Sequence, residues 1–167
     1  MKKAIVPQLL ASLTMLEEAI NTCPDDLWDH QGYENKYWHI VYHTIFFTHL
    51  YLTTSENMFK PWEKARNEYQ FMGPVPWPPH YTPRIEHTYT KEDLIEYIEK
   101  IKGEAPNIIA QDDLNAKSGF EWLPFNRLEL YLHMIRHVQH HTGQLIERLR
   151  NSGVKRNQWI VTNNVHQ

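Results

Sequence analysis

Residues 131–145 read Tyr131-Leu132-His133-Met134-Ile135-Arg136-His137-Val138-Gln139-His140-His141-Thr142-Gly143-Gln144-Leu145. Four histidines crowd this stretch, and the apolar residues around them say how they are carried. Leu130, Met134, Val138 and Leu145 recur at helical steps, and the segment 125–151 holds no proline and a single glycine, Gly143. It closes on Asn151-Ser152-Gly153, with Arg148 and Arg150 near the negative end of a helix dipole. The reading is a helix over about residues 125–151. At about 100° per residue, the four apolar side chains fall within roughly 100° of His137, so that histidine sits on the inward half of the helix. His137 and His141 are four apart, which puts both imidazoles on one face, one turn apart, able to address a single ion. His133 and His140 fall on the flank, where rim or surface positions are expected.

Upstream, residues 36–53 are dense in aromatics and leucines and free of glycine and proline. Their β-branched and aromatic content also suits a strand, but a length of roughly eighteen residues favours a buried helix. Within it His43 lies in the middle of an apolar arc of Ile40, Phe46, Phe47 and Leu50, and is the better inward candidate. His39, one turn earlier, is second, and His49 points away. Near the start, Ile5, Leu9, Leu10, Leu13, Leu16 and Ile20 predict a helix over residues 4–21, ending before a turn at Pro24-Asp25-Asp26. Thr90-Lys91-Glu92-Asp93 has the form of a capping box and opens a helix over residues 91–111, which Gly103 and Pro106 should bend or interrupt. Residues 54–89 interleave six prolines with Trp62, Tyr69, Phe71, Trp77 and Tyr81, which predicts a long ordered connection with one helical turn near 61–67. In the tail, Trp159, Ile160 and Val161 are expected to dock as a short extended piece.

The expected architecture is therefore all-α: a four-helix bundle with a long Pro/aromatic-rich connection between its second and third helices, in one domain over residues 1–167. A chain of 167 residues with 41% hydrophobic content suits one core, and it has no uninterrupted apolar run of about eighteen residues. The N-terminal residues lead into an amphipathic pattern rather than a signal core, so a soluble, cytoplasmic protein is expected. Seventeen basic against twenty acidic residues give a charge of -3, without the basic surplus of phosphate-backbone binders, so nucleic acid and membrane are not expected partners.

Eleven histidines accompany one cysteine, Cys23, so any transition-metal chemistry has to run on imidazole. Three imidazoles in a bundle core carry a desolvation cost that a shared metal or hydrogen bonds would lower. A three-histidine site keeps positions open for water or substrate, as catalytic rather than structural sites do. Imidazole suits zinc, nickel, iron or copper.

The segment 38–52 with His43 inside an aromatic helix, and above all His137-Val138-Gln139-His140-His141-Thr142-Gly143-Gln144-Leu145, resemble the DinB/YfiT-like family. The order of helices and the tail extend the resemblance over nearly the whole chain. It implies an up-down-down-up bundle, often a homodimer, with a divalent metal held by His43, His137 and His141. Zinc or nickel would come first, with iron, manganese or copper after them. The family commonly has arginine where Thr142 stands. Characterised relatives include thiol S-transferases using low-molecular-weight thiols such as bacillithiol, mycothiol-dependent isomerases, and proteins described as metal-dependent hydrolases.

The expected function is an enzyme acting on a small-molecule substrate, in which the metal makes a nucleophile of a bound thiol or water. His140 would donate a hydrogen bond or shuttle a proton, and Gln144 would orient a ligand or substrate; the alternative places both on the helix surface. A non-catalytic metal-binding or dimerisation module is the alternative function, and a vestigial site on an oligomerising fold the third. The aromatics Trp62, Trp77 and Tyr81 are read as cover for the bundle end, with an active-site lid as the competing reading. His80 and His87 are expected to be exposed, and Cys23 to be a small packing residue.

Overall fold

The computed structural model describes residues 1–154 and 159–163, and among them every regular element is a helix. They are α1 (Lys2–Asn21), α2 (Asp25–Trp28), α3 (Tyr37–Leu52), α4 (Lys91–Gln111) and α5 (Arg127–Asn151). No strand occurs among the described residues; Lys117 and Asn126 form an isolated bridge. No helix among them is long and apolar enough to cross a membrane.

Each long helix begins and buries itself for a legible reason. In α1 the stripe Ile5, Leu9, Leu13, Leu16 and Ile20 is buried. Where a turn was expected, Asp25 and Asp26 instead occupy the first turn of α2, where carboxylates favour the helix dipole, and Leu27 and Trp28 are buried behind them. Trp28 Nε1 donates to the Tyr89 carbonyl at 2.8 Å and ties this turn to the approach to α4.

The capping box of α4 is present in both directions, with the Asp93 amide donating to Thr90 Oγ1 and the Thr90 amide to the Asp93 carboxylate. Of the bend or interruption expected at Gly103 and Pro106, the interruption does not occur, and α4 runs unbroken over Lys91–Gln111. Leu94, Tyr97, Ile98, Ile101, Ala105 and Ile109 form one buried stripe across both residues, so tertiary burial outweighs their poor helix propensity. Asn126 caps α5 by accepting from the Glu129 amide.

Helix α1 packs against α4 and α5, and α3 packs against the same two, around one apolar core. Polar contacts mark which ends meet. Lys2 Nζ donates to the Ala110 carbonyl, Tyr37 Oη to that of Ala19, Arg127 Nη1 to that of Thr53 and Arg148 Nη1 to that of Asn35. The link between α4 and α5 is held against the end of α3. There Gly119 has a φ of +90°, and a Cβ on it would stand 1.9 Å from the Thr54 carbonyl oxygen, so only glycine fits.

Between α3 and α4 the one regular element is a 3-10 turn at Glu56–Met58, upstream of the expected position near 61–67. Trp62 is buried and stacks on Tyr97 with ring centroids 4.5 Å apart, while Tyr69 and Tyr89 are also buried. Of the tail, residues 155–158 and 164–167 lie outside the described residues. Trp159 is 75% exposed and does not dock; instead Asn163 Nδ2 donates to Thr14 Oγ1 at 2.7 Å and Gln8 Nε2 to the Val161 carbonyl.

Candidate metal centre

Helix α3 carries His43 at its middle, and α5 carries His137 and His141 on adjacent turns of the face packed against α3. One ligand atom from each of the three lies within 4.8 Å of the others, close enough to share one ion. His43 Nε2 and His137 Nε2 are 3.1 Å apart, against about 3.3 Å for two ligands of a tetrahedral site with bonds of roughly 2.0–2.1 Å. The rings of His137 and His141 are 4.6 Å apart, centroid to centroid, and nearly perpendicular.

Two of the three rings have their tautomer fixed. His43 Nδ1 donates to the Gln70 carbonyl at 2.6 Å, and His141 Nδ1 donates to Gln144 Oε1 at 2.8 Å, so each leaves Nε2 with a free lone pair. His137 Nδ1 is buried without a hydrogen-bond partner. Burial holds the His43 pKa down at about 4, and burial with the neighbouring histidines lowers that of His137 further. Burial likewise lowers that of His141. All three are neutral near pH 7, which is the form that donates to a metal. Three neutral nitrogens with neither thiolate nor carboxylate suit a borderline transition metal, and they leave coordination positions open.

The other histidines are distributed as follows. His39 is buried but committed elsewhere, with Nε2 donating to the Tyr69 carbonyl at 2.8 Å. His49, expected to point away from the core, is buried and hydrogen-bonded through Nδ1 to Tyr97 Oη at 2.9 Å. The helical wheel misplaces it because α3 is enclosed on nearly every side, and its polar residues Thr44, Thr48 and His49 are buried with the rest. His133 is half-buried beside His137, His30, His80, His87 and His140 are exposed, and His166 lies outside the described residues.

Gln144 is also exposed, but its two amide atoms bridge His141 Nδ1 and, at 3.3 Å, His140 Nε2. The structure thus puts it behind His141. Thr142 is fully buried with its hydroxyl on the Val138 carbonyl, so no cation stands at that position. Cys23 is buried, and burial pushes its thiol up to about 12, so it packs rather than reacts.

Two contributors escaped the sequence reading. The Gln70 carbonyl orients His43, and a backbone acceptor leaves no trace in side-chain pattern. Trp122, from the α4–α5 link, lines a cleft of about 390 Å³ together with Phe46, Phe47, Phe71 and Trp77. Phe47 lines this cleft and also lies against the histidines, its ring centroid 4.9 Å from that of His43 and 6.0 Å from that of His137. Of the aromatics expected to cover the bundle end, Trp62 does so while Trp77 stands 55% exposed in the cleft wall. Tyr81 is also exposed, with its hydroxyl on Glu68.

Fold and cluster together define a class: an all-helical protein with three convergent histidines between two of its long helices. Residues 8–145 match the family model of the DinB superfamily, and the chain belongs to that superfamily. No curated protein and no solved structure gives a match to the chain.

Proposed function

We propose that this chain is a metal-dependent enzyme, a thiol S-transferase or a hydrolase, in which His43, His137 and His141 hold one divalent transition metal, zinc or nickel by preference. The observation that carries the reading is the convergence of three neutral imidazoles, two with preset tautomers, beside an open aromatic cleft. When bound, such an ion lowers the pKa of a coordinated thiol or water and so supplies a nucleophile at neutral pH.

The chain's own residues do the rest. The Gln70 carbonyl and Gln144 Oε1 hold His43 and His141 by their Nδ1–H groups, so both rings are oriented before anything binds. Phe47 lies against the rings of His43 and His137 and keeps water from that side. His140 stands at the exposed rim with its ring 4.9 Å from that of His141, and we assign it the proton released there. Gln144 acts as a positioning residue. Because Cys23 is buried, a thiol reaction has to use a thiol from outside the chain.

We further read the long helices as an up-down-down-up bundle in one domain. The start of α3 meets the end of α1 at Tyr37 and Ala19, the end of α4 meets the start of α1 at Ala110 and Lys2, and α5 runs back along α3 from Thr53 to Asn35.

The test is conjugation of an aromatic electrophile with cysteine, glutathione and bacillithiol, alongside ester hydrolysis, by metal-loaded, chelated and His137→Ala protein. Turnover confined to the loaded wild type supports the reading. No turnover with any nucleophile, together with a large fall in melting temperature on chelation, points to a structural metal module instead.

A further inference from the structure

The cleft beside the histidines has a composition that says what it takes. Among the described residues six aromatic rings line it, Phe46, Phe47, Phe59, Phe71, Trp77 and Trp122, and the one charged lining residue is Glu56. Several of the rings are already paired edge to face. Phe46 meets Phe59 at 5.2 Å and 77°, and Phe71 meets Trp77 at 5.3 Å and 83°. Edge-to-face pairs leave ring faces free for a further aromatic, which is the arrangement stacked and T-shaped ligands use. Trp77 and Trp122 come from different connections, yet each is about half exposed at this same cleft, 55% and 50%. Large aromatic surface gathered in one concavity marks a site that is covered in use. About 390 Å³ is in the range of small-molecule sites, near its lower end.

Charge narrows the occupant. Among the described residues no lysine, arginine or histidine lines the cleft, so an anionic group would be desolvated there and would meet the Glu56 carboxylate. Position supplies the link to chemistry. Gln70 lines the cleft while its carbonyl orients His43, and Phe47 lines it while its ring lies against two of the three histidines.

We propose that this cleft seats the organic substrate of the histidine centre and selects a small neutral or cationic molecule built on one or two aromatic ring systems. The word substrate rests on the function proposed above; occupation of the cleft does not. Phe47 and Gln70 bring the ring to the edge of the cluster, while Trp77 and Trp122 close over its outer face.

The experiment compares two fluorescent probes sharing one skeleton, neutral N-phenyl-1-naphthylamine and the anionic 8-anilinonaphthalene-1-sulfonate. Each is titrated into the full chain, both zinc-loaded and chelated. The neutral probe should saturate one site and bind at least about tenfold more tightly than the sulfonate in both forms. Trp77→Ala, at a position 55% exposed, should weaken the neutral probe about tenfold or more with zinc uptake unchanged. Phe59→Leu serves as a second variant with the same expectation. Equal or tighter binding of the sulfonate would overturn the charge selection, and neutral-probe affinity unchanged in both variants would overturn the cleft. Failure to take up zinc with probe binding intact would count against the proposed enzyme alone, and the reverse result against the cleft alone.

Discussion

The Nε2 atoms of His43 and His137 stand 3.1 Å apart across the contact between α3 and α5. His43 carries its proton on Nδ1, which donates to the Gln70 carbonyl, so its Nε2 presents a lone pair. Two imidazoles can face each other at that distance only with a proton or a cation between them. With a cation there, His137 carries its proton on Nδ1, the atom that is buried without a partner. Whichever of the two stands between them, one polar atom, His137 Nδ1, is left without a partner.

Gln144 is the residue whose removal should be felt by the metal without touching a ligand. Gln144→Ala frees the His141 ring, and zinc affinity should fall about 10–100-fold, with Gln144→Glu retaining most of it. Competition with a chromophoric chelator measures this. An unchanged affinity in Gln144→Ala would place Gln144 on the surface and nowhere else.

Acid should unfold the protein partly through His49. Burial, with help from Lys100 and against Glu104, holds its pKa near 4 from an ordinary value of 6.5. The folded state thus resists taking up a proton that the unfolded chain accepts. Its contribution is complete above the unfolded value and is lost as pH falls from about 6.5 towards 4, on the order of 2–3 kcal/mol. Denaturant melts of chelated protein at several pH values should show a steeper loss in wild type than in His49→Gln. Equal slopes would contradict the assignment.

At the start of α5, Arg127 is 2% exposed and donates to Asp112, Thr53, Ser118 and Tyr131. Arg127→Ala removes the cation paired with the Asp112 carboxylate, which keeps the Tyr131 hydroxyl, and should cost roughly 3–5 kcal/mol in urea unfolding. Gly119→Ala, in the same loop, collides with Thr54 and should be at least comparably damaging to expression of folded protein. If both variants melt like the wild type, this loop does not anchor α5.

The parts legible in the sequence are those in which local chemistry and tertiary demand agree. Thr90 and Asp93 cap α4 as their spacing requires, and the pattern of α5 puts His137 and His141 on one face. Three features were hidden for separable reasons. Pro106 reads as a bend or an interruption, and the buried stripe from Leu94 to Ile109 carries the helix through it. His49 reads as outward because a wheel needs a polar face to orient it, and α3 has almost none. Gln70 and Trp122 act from connections, where only the folded chain shows which backbone carbonyl or exposed ring meets the site.

Trp62 offers a check on the connection's role. Stacked on Tyr97, it pins residues 53–90 to α4, so Trp62→Ala should destabilise the protein by about 3–5 kcal/mol. Trp77→Ala, by contrast, should change stability by less than about 0.5 kcal/mol. Thermal and denaturant melts of the two variants decide it; equal losses would merge two residues that the structure separates.

The most direct test of the account is cobalt(II) titration of metal-free protein, followed by visible absorption. One equivalent should bind with the intense d–d bands of a low-coordinate site carrying nitrogen ligands, and His43→Ala and His137→Ala should abolish them. No uptake by the folded wild type, or unchanged bands in both variants, would contradict the claim that these histidines form a metal centre.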